Sequence, residues 1–394
     1  MKSFLILSLA VAQITLPLYK VTETKPKDNS RSLSQSDLIN HSNFYYTAKI
    51  SLGTPPQTVY LRVSTGTAIS WVIGEDCTTC TGLGISFKES ESTSGQKKSS
   101  EMITYTYLSG SKVTGYYYED KLSIGDTTSV STNSSLIVAS SITGFSNAVY
   151  SGILAMGLKN SDYSYNTLLD DLKDSGHITQ KVFSLYLADL GYLTTYDSYG
   201  DFSSVLQIGT YSLSTYSTTN KILVTLPVIS PYEEWKVQLD SVYLGSNKLA
   251  ENFIVGISSI NYIQANTEGF SKIEDALDNA KISYKYNDDG FIYALCQDVQ
   301  NFYTLSFMYD DVKIDVSGSN LWREDGSTCT LLIYKNSDTC WWFGASFLHV
   351  YYAIFDADNL NIKLAPAKQP NDKITASASE YIMITGLAYL LVFS

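Results

Sequence analysis

The segment that most constrains the fold is residues 59–72, Val-Tyr-Leu-Arg-Val-Ser-Thr-Gly-Thr-Ala-Ile-Ser-Trp-Val. Its first half is rich in β-branched and aromatic residues, which favour a strand. Thr65, Gly66 and Thr67 form a short polar turn before a second strand that begins near Trp71. Residues 46–57 predict another strand, which closes on a Gly-Thr-Pro-Pro turn. The region therefore predicts short strands joined by tight turns.

Composition extends this expectation to the whole chain. The sequence has 394 residues, enough for two or three core-bearing units, and it contains 31 tyrosines but few long amphipathic helical patterns. This balance predicts mostly β structure. The 39 acidic and 27 basic residues give a net charge of -12, and no run of lysine or arginine forms a basic stripe. Nucleic acid is therefore not expected as a partner.

Both ends of the chain carry targeting-like patterns. A short basic start followed by an apolar run predicts a secretory signal over residues 1–17, and polar residues 18–42 predict a linker or short pro-segment. Residues 369–394 combine small residues, a polar spacer and a terminal apolar run, as in a GPI-attachment signal, with a plain tail or short membrane anchor as alternatives. Secretion would make Asn40 and Asn133 glycosylation acceptors.

The chain has few cysteines, and two of them lie close together in the sequence. Cys77 and Cys80 form a Cys-x-x-Cys motif, which can be a redox pair, half of a zinc site or a structural disulfide. The sequence offers neither a second pair nor a nearby histidine for zinc, and no βαβ pattern accompanies the motif. A structural disulfide is the favoured interpretation, and neither a metal nor another cofactor is predicted.

Several blocks together resemble the pepsin-like aspartic protease family. The Gly-Thr-Pro-Pro-Gln turn and the segment at Ser64 are followed in family order by residues 103–115, 151–157, 182–187, 235–245 and 342–365. The resemblance covers about residues 43–367. It implies an all-β, bilobal fold with a central cleft and a few short helices, with an N-terminal lobe at 43–215 and a C-terminal lobe at 216–368.

The resemblance also implies roles for individual residues. Tyr107 matches the tyrosine of the family's flap, a hairpin that leans over the cleft. Cys296 and Cys329 match the disulfide of the second lobe, and the Cys77 loop matches a small disulfide loop that many members carry. These roles are expectations that rest on the match alone.

The two catalytic aspartates of the family are missing. Ser64 stands at the first position, and we expect Gly256 at the second, which puts Ile257 at the family's Ser/Thr position and Ser258 at its glycine position. Aspartic proteolysis requires two carboxylates about 3 Å apart that share one proton. Neither serine nor glycine can replace them, so no catalytic residue is predicted.

The supporting residues are expected to be damaged as well. Family members carry a hydroxyl after each aspartate that bonds across the lobe junction; Thr65 retains it, whereas Ile257 would not, and Ala68 replaces the outer serine. The three histidines lie in no known catalytic motif. We therefore expect a secreted, non-catalytic protein that grips an extended peptide or protein in a cleft containing Tyr107, Thr65, Gly66 and Ser258. The alternatives are a structural surface protein and an active endopeptidase with a misaligned site.

Overall fold

The structure is a computed structural model, and β-strands dominate it, which confirms the all-β class. It describes residues 14–22, 44–80, 84–107, 110–125, 129–145, 150–159, 165–188, 204–229, 233–260, 262–288 and 290–369.

Eleven strands form the first half of the described chain. Alternating or continuous apolar residues place one or both faces of most of these strands in the core, whereas the two residues of β5 are exposed. The strands are β1 (Ile14–Thr22), β2 (Phe44–Leu52), β3 (Gln57–Ser64), β4 (Trp71–Ile73), β5 (Gln96–Lys97), β6 (Ile103–Thr106), β7 (Lys112–Ile124), β8 (Val130–Thr143), β9 (Gly152–Ala155), β10 (Val182–Tyr186) and β11 (Ser204–Ile208).

Fourteen strands form the second half. They are β12 (Val224–Pro227), β13 (Lys236–Leu244), β14 (Asn247–Ile257), β15 (Ile263–Ala265), β16 (Tyr284–Tyr286), β17 (Ile292–Leu295), β18 (Leu305–Tyr309), β19 (Val312–Val316), β20 (Trp322–Asp325), β21 (Thr328–Leu331), β22 (Ile333–Lys335), β23 (Trp341–Phe343), β24 (Tyr351–Asp356) and β25 (Asn361–Pro366). A seven-stranded sheet runs from β19 to β22, and β16, β17, β21 and β20 form a separate four-stranded sheet.

The helices are short and lie between strands. They are α1 (Leu168–Asp174), α2 (Leu213–Tyr216), α3 (Thr267–Asn279), α4 (Cys296–Val299) and α5 (Ala345–Leu348). A capping box at Thr167 and Asp170 begins α1, and the Asn266 side chain accepts from the Gly269 amide at the start of α3. Buried apolar residues on α3 hold it against the second-half sheet.

The last strands of the chain connect the two halves. β24 pairs with β10 of the first half. β12 pairs with β25 and forms the edge of the same 14-stranded sheet. The expected division between residues 215 and 216 falls inside α2, and β24 and β25 lie in the sheet of the first half. A single cut in the sequence therefore does not separate the two lobes.

The beginning of the described chain differs from the prediction. β1 runs across the expected boundary at residue 17 and pairs with both β2 and β11. Ile14, Leu16 and Leu18 alternate along it and are fully buried. Residues 14–22 thus belong to the first-half sheet rather than to a leader and a linker. The signal predicted for residues 1–13 lies outside the described residues.

Both expected disulfides are present. Cys77 bonds to Cys80, and Cys296 bonds to Cys329, where β21 lies next to β17 and α4. Cys340 is the remaining thiol and is partly buried. The structural interpretation of the Cys-x-x-Cys motif is therefore confirmed.

Candidate functional site

The candidate site lies where two similar strand pairs meet. In the first half, β3 runs parallel to β9, with Val63 opposite Leu154 and Ser64 opposite Ala155. In the second half, β14 runs parallel to β23, with Ile257 opposite Phe343. Ser64 is the last residue of β3, and Ser258 follows the last residue of β14.

Two reciprocal hydrogen bonds join these strand ends. The Thr65 hydroxyl donates to the carbonyl oxygen of Ile257 at 3.1 Å, and the Ser259 hydroxyl donates to the carbonyl oxygen of Val63 at 2.6 Å. Each donor lies two residues after the acceptor of the other bond. This symmetry relates Val63 to Ile257, Thr65 to Ser259 and, between them, Ser64 to Ser258.

The structure therefore corrects the expected position of the second aspartate. Ser258, not Gly256, is the counterpart of Ser64. Gly256 lies opposite Trp342 on β23, and a Cβ atom built on Gly256 would come within 2.3 Å of the Trp342 ring. A side chain at Gly256 would have to displace a buried indole whose Nε1 donates to Asp338 at 3.2 Å.

The supporting hydroxyls are also more complete than expected. Ile257 was expected to stand at the position of the second hydroxyl, but Ser259 supplies that group and makes the bond across the junction. Thr65 and Ser259 are both buried. Ala68 remains a departure, since an alanine cannot supply the hydroxyl of the family's outer serine.

Two serine hydroxyls face the same small space beside Gly66. A Cβ atom built on Gly66 would lie 3.8 Å from Ser258 Oγ and 3.9 Å from Ser64 Oγ. The Gly66 amide donates to Ser64 Oγ at 3.3 Å, and no other hydrogen bond to that hydroxyl occurs within the described part of the chain. A serine hydroxyl without a base to activate it is a weak nucleophile, and it cannot share a proton as a carboxylate pair does.

The flap hairpin packs against the first half of the site. The Trp71 indole donates to the Tyr107 hydroxyl at 2.8 Å, and the Tyr105 and Tyr107 rings contact each other edge to face. Burial raises the pKa of both tyrosines well above the ordinary value, so their hydroxyls stay protonated at any working pH. Tyr107 thus lies on the hairpin formed by β6 and β7, and its role over a cleft stays a prediction.

A carboxylate missed by the sequence analysis ties this hairpin to the second half. The Tyr105 hydroxyl donates to Glu233 Oε2 at 3.0 Å and accepts from the Thr67 hydroxyl at 3.0 Å. The Ala68 amide also donates to Glu233 Oε2, at 3.4 Å. No local pattern signals Glu233, because its partners are more than a hundred residues away in the sequence.

Ser258 and Ser259 could have been found from the sequence. Residues 63–65 read Val-Ser-Thr and residues 257–259 read Ile-Ser-Ser, an apolar residue followed by two hydroxyl residues in both halves. Comparison of the halves with each other, rather than with the family motif, would have aligned these triplets.

The other expected positions lie away from this centre. His177 bonds to the Ser131 carbonyl and His349 to the Tyr46 hydroxyl, whereas His41 lies outside the described residues. Asn133 is exposed on β8, and Asn40 lies outside the described residues. Across the described ranges, no cluster of histidine, cysteine, aspartate or glutamate is arranged to hold a metal ion.

Comparison with known proteins agrees with the fold. The model of the family "Eukaryotic aspartyl protease" matches residues 45–367. An "Acid protease" of Saccharomycopsis fibuligera is 26% identical over 359 residues, covering 84% of this chain and 83% of that protein. "Pepsin A" of Sus scrofa is 25% identical over 342 residues, covering 85% and 84%.

A third relative matches a shorter region at higher identity. "Probable vacuolar protease A" of Trichophyton verrucosum is 31% identical over 216 residues, covering 54% of this chain and 50% of that protein. The family match spans both strand pairs of the site, the flap hairpin and the two disulfides. The chain therefore belongs to the eukaryotic aspartyl protease family.

Proposed function

We propose that this chain is a non-catalytic member of its family that holds an extended peptide or protein segment in its cleft. The observation that carries the proposal is the pair Ser64 and Ser258, since hydroxyls occupy both positions where the chemistry requires carboxylates. Loss of catalytic residues that act together lowers the turnover rate of an active site by about 10⁴- to 10⁶-fold.

The framework around the serines supports binding rather than general decay of the site. The bonds of Thr65 and Ser259 keep the two strand ends together, and Tyr107 remains bonded to Trp71 below the flap. An extended peptide can pair its backbone with such a groove without any chemistry at its centre.

The proposal also covers the location of the protein. We place it on the secretory route, with a lipid anchor at residues 369–394 as the means of attachment to the cell surface. Two disulfides and an exposed Asn133 in an Asn-Ser-Ser sequence suit an oxidising compartment. In the part of the chain that is described, no helix is both long and apolar enough to cross a bilayer.

The test uses purified full-length protein and a library of acetylated, amidated octapeptides. We expect saturable binding by fluorescence anisotropy, competition by a statine-type inhibitor and no cleavage of an unfolded protein substrate at acid pH. Cleavage that the inhibitor blocks would overturn the proposal in favour of an active endopeptidase. Absence of both binding and cleavage would favour a structural surface protein.

A further inference from the structure

Arg62 lies on the same face of β3 as Ser64, two residues before it. Leu61 and Val63 point into the main core, whereas Arg62 and Ser64 share the opposite, partly exposed face. Side chains two residues apart on a strand are about 7 Å apart, which matches the spacing of alternate side chains in an extended peptide.

The surroundings of Arg62 are aromatic and apolar. Arg62 lies opposite Ile153, which belongs to a cluster with Tyr45, Trp71 and other buried residues, and Tyr107 of the flap packs against that cluster. The guanidinium carbon lies 5.7 Å from the centre of the Tyr45 ring. Burial raises the pKa of Tyr107, and the nearby charge of Arg62 acts against that rise.

No anion in the described part of the chain satisfies this guanidinium. Its Nε atom is buried without a hydrogen-bond partner, and no carboxylate of the described residues forms an ion pair with it. A partly buried cation without a counter-ion is unfavourable, because it has lost water and gained no partner. Arginine also presents parallel N–H groups that match both oxygens of a carboxylate.

We propose that Arg62 recognises the carboxylate of an aspartate or glutamate side chain in a peptide that lies beside Ser64 under the flap. This inference rests on the proposed peptide-binding function and names the kind of side chain that the cleft prefers. The incoming carboxylate would accept N–H donors from the terminal nitrogens of Arg62, since the Nε atom is enclosed by the protein, while Tyr45 packs against the guanidinium.

The experiment compares peptide pairs that differ only by glutamate or glutamine at one position, scanned along the octapeptide. At one position, wild-type protein should bind the glutamate peptide about 10- to 100-fold more tightly, the usual range for a charge-assisted pair. Arg62→Met should remove this preference and leave the glutamine peptide within about 3-fold of wild type. Arg62→Lys should retain part of the preference, because the charge stays and the planar donor pair is lost.

Lys49→Met is the matched control. Lys49 is exposed on β2, so its replacement removes one positive charge outside the aromatic cluster and should leave the preference intact. A thermal melt of each variant checks folding, and Arg62→Lys carries the test if Arg62→Met unfolds. Binding without any glutamate preference, or a preference that survives in Arg62→Met, would overturn the inference alone. A wild-type protein that binds no peptide would overturn the proposed function and this inference with it.

Discussion

The two halves of the site place different residues at equivalent positions two residues before the central serine. In the first half, Arg62 lies opposite Ile153, a member of the apolar cluster against which Tyr107 of the flap packs. In the second half, Gly256 lies opposite Trp342, whose ring occupies the space that a side chain at 256 would need. One half therefore offers a charged group to a ligand, whereas the other half is filled by the protein itself.

This contrast indicates which positions can still change. The space between Ser64 and Ser258 is bordered by small hydroxyls and Gly66, so we expect it to accept larger side chains at the two serines. The space beside Gly256 cannot, because a buried indole fills it. The two halves of the site therefore share a backbone arrangement but differ in the side chains that pack beside it.

The largest expected effect follows from replacing both serines. Ser64→Asp with Ser258→Asp should create acid-pH cleavage of an unfolded protein at least about 10³-fold above wild type, because the hydroxyl bonds that support the strand ends are present. A statine-type inhibitor should block the activity. The measurement is release of a fluorescent fragment against pH.

Ser64→Asp with Gly256→Asp is the matched control for that experiment. It adds the same two carboxylates but puts the second against Trp342, so it should be inert and less stable. Equal activity in the two double variants would show that the symmetry assigned from the two hydrogen bonds is wrong.

A smaller effect is expected when a methyl group is added to one glycine in each half of the site. Gly256→Ala should lower the free energy of unfolding by about 1–3 kcal/mol, because the new Cβ atom collides with the Trp342 ring. Gly66→Ala should cost less than about 1 kcal/mol, since its Cβ atom meets its nearest neighbours at 3.8 Å. Urea denaturation measures both values.

Trp342→Leu distinguishes a collision from an intrinsic need for glycine. If the collision is the cause, Gly256→Ala should cost less in the Trp342→Leu background than in wild type, a non-additive result expected for residues in contact. An unchanged cost in both backgrounds would mean that Trp342 is not what excludes a side chain at position 256.

Local patterns predicted the strands around residues 46–64 and the Cys77–Cys80 disulfide, whereas the family resemblance supplied the Cys296–Cys329 disulfide. The flap role of Tyr107 also came from the resemblance and stays a prediction. The match to the family motif misplaced the second aspartate position by two residues. A shift of two along a strand keeps every side chain on the same face, so the apolar pattern of residues 253–260 fits both alignments. The aspartate that would have fixed the alignment is absent. Hydrogen bonds between residues far apart in the sequence, such as that from Tyr105 to Glu233, leave no recognisable pattern in the sequence around either residue.

The reciprocal hydroxyl bonds should contribute equally from the two halves. Thr65→Val and Ser259→Ala each remove a buried donor from a carbonyl oxygen, so each should cost about 1–2 kcal/mol in the free energy of unfolding. Thr104→Val on the exposed flap strand is the control and should change stability by less than about 0.5 kcal/mol. If only one of the two variants destabilises the protein, the junction is held from one side.

The smallest expected effect on global stability concerns the flap, which reaches across to the second half through Glu233. Tyr105→Phe removes the hydroxyl that joins Thr67 to Glu233 and keeps the ring against Tyr107. Because the acceptor is a carboxylate, this hydrogen bond is charge-assisted and contributes about 1.5 kcal/mol or more, so amide hydrogen exchange over residues 103–107 should become at least about 10-fold faster.

Two further variants separate the hydroxyl from the charge. Glu233→Gln leaves an oxygen that can still accept from Tyr105, so it should accelerate exchange less than Tyr105→Phe does. Glu101→Gln removes an exposed charge just before the hairpin and should have no effect. If exchange in Tyr105→Phe stays at the wild-type rate, Glu233 does not restrain the flap. The described contacts that join the two halves would then lie below the flap, at the strand ends and where β10 pairs with β24.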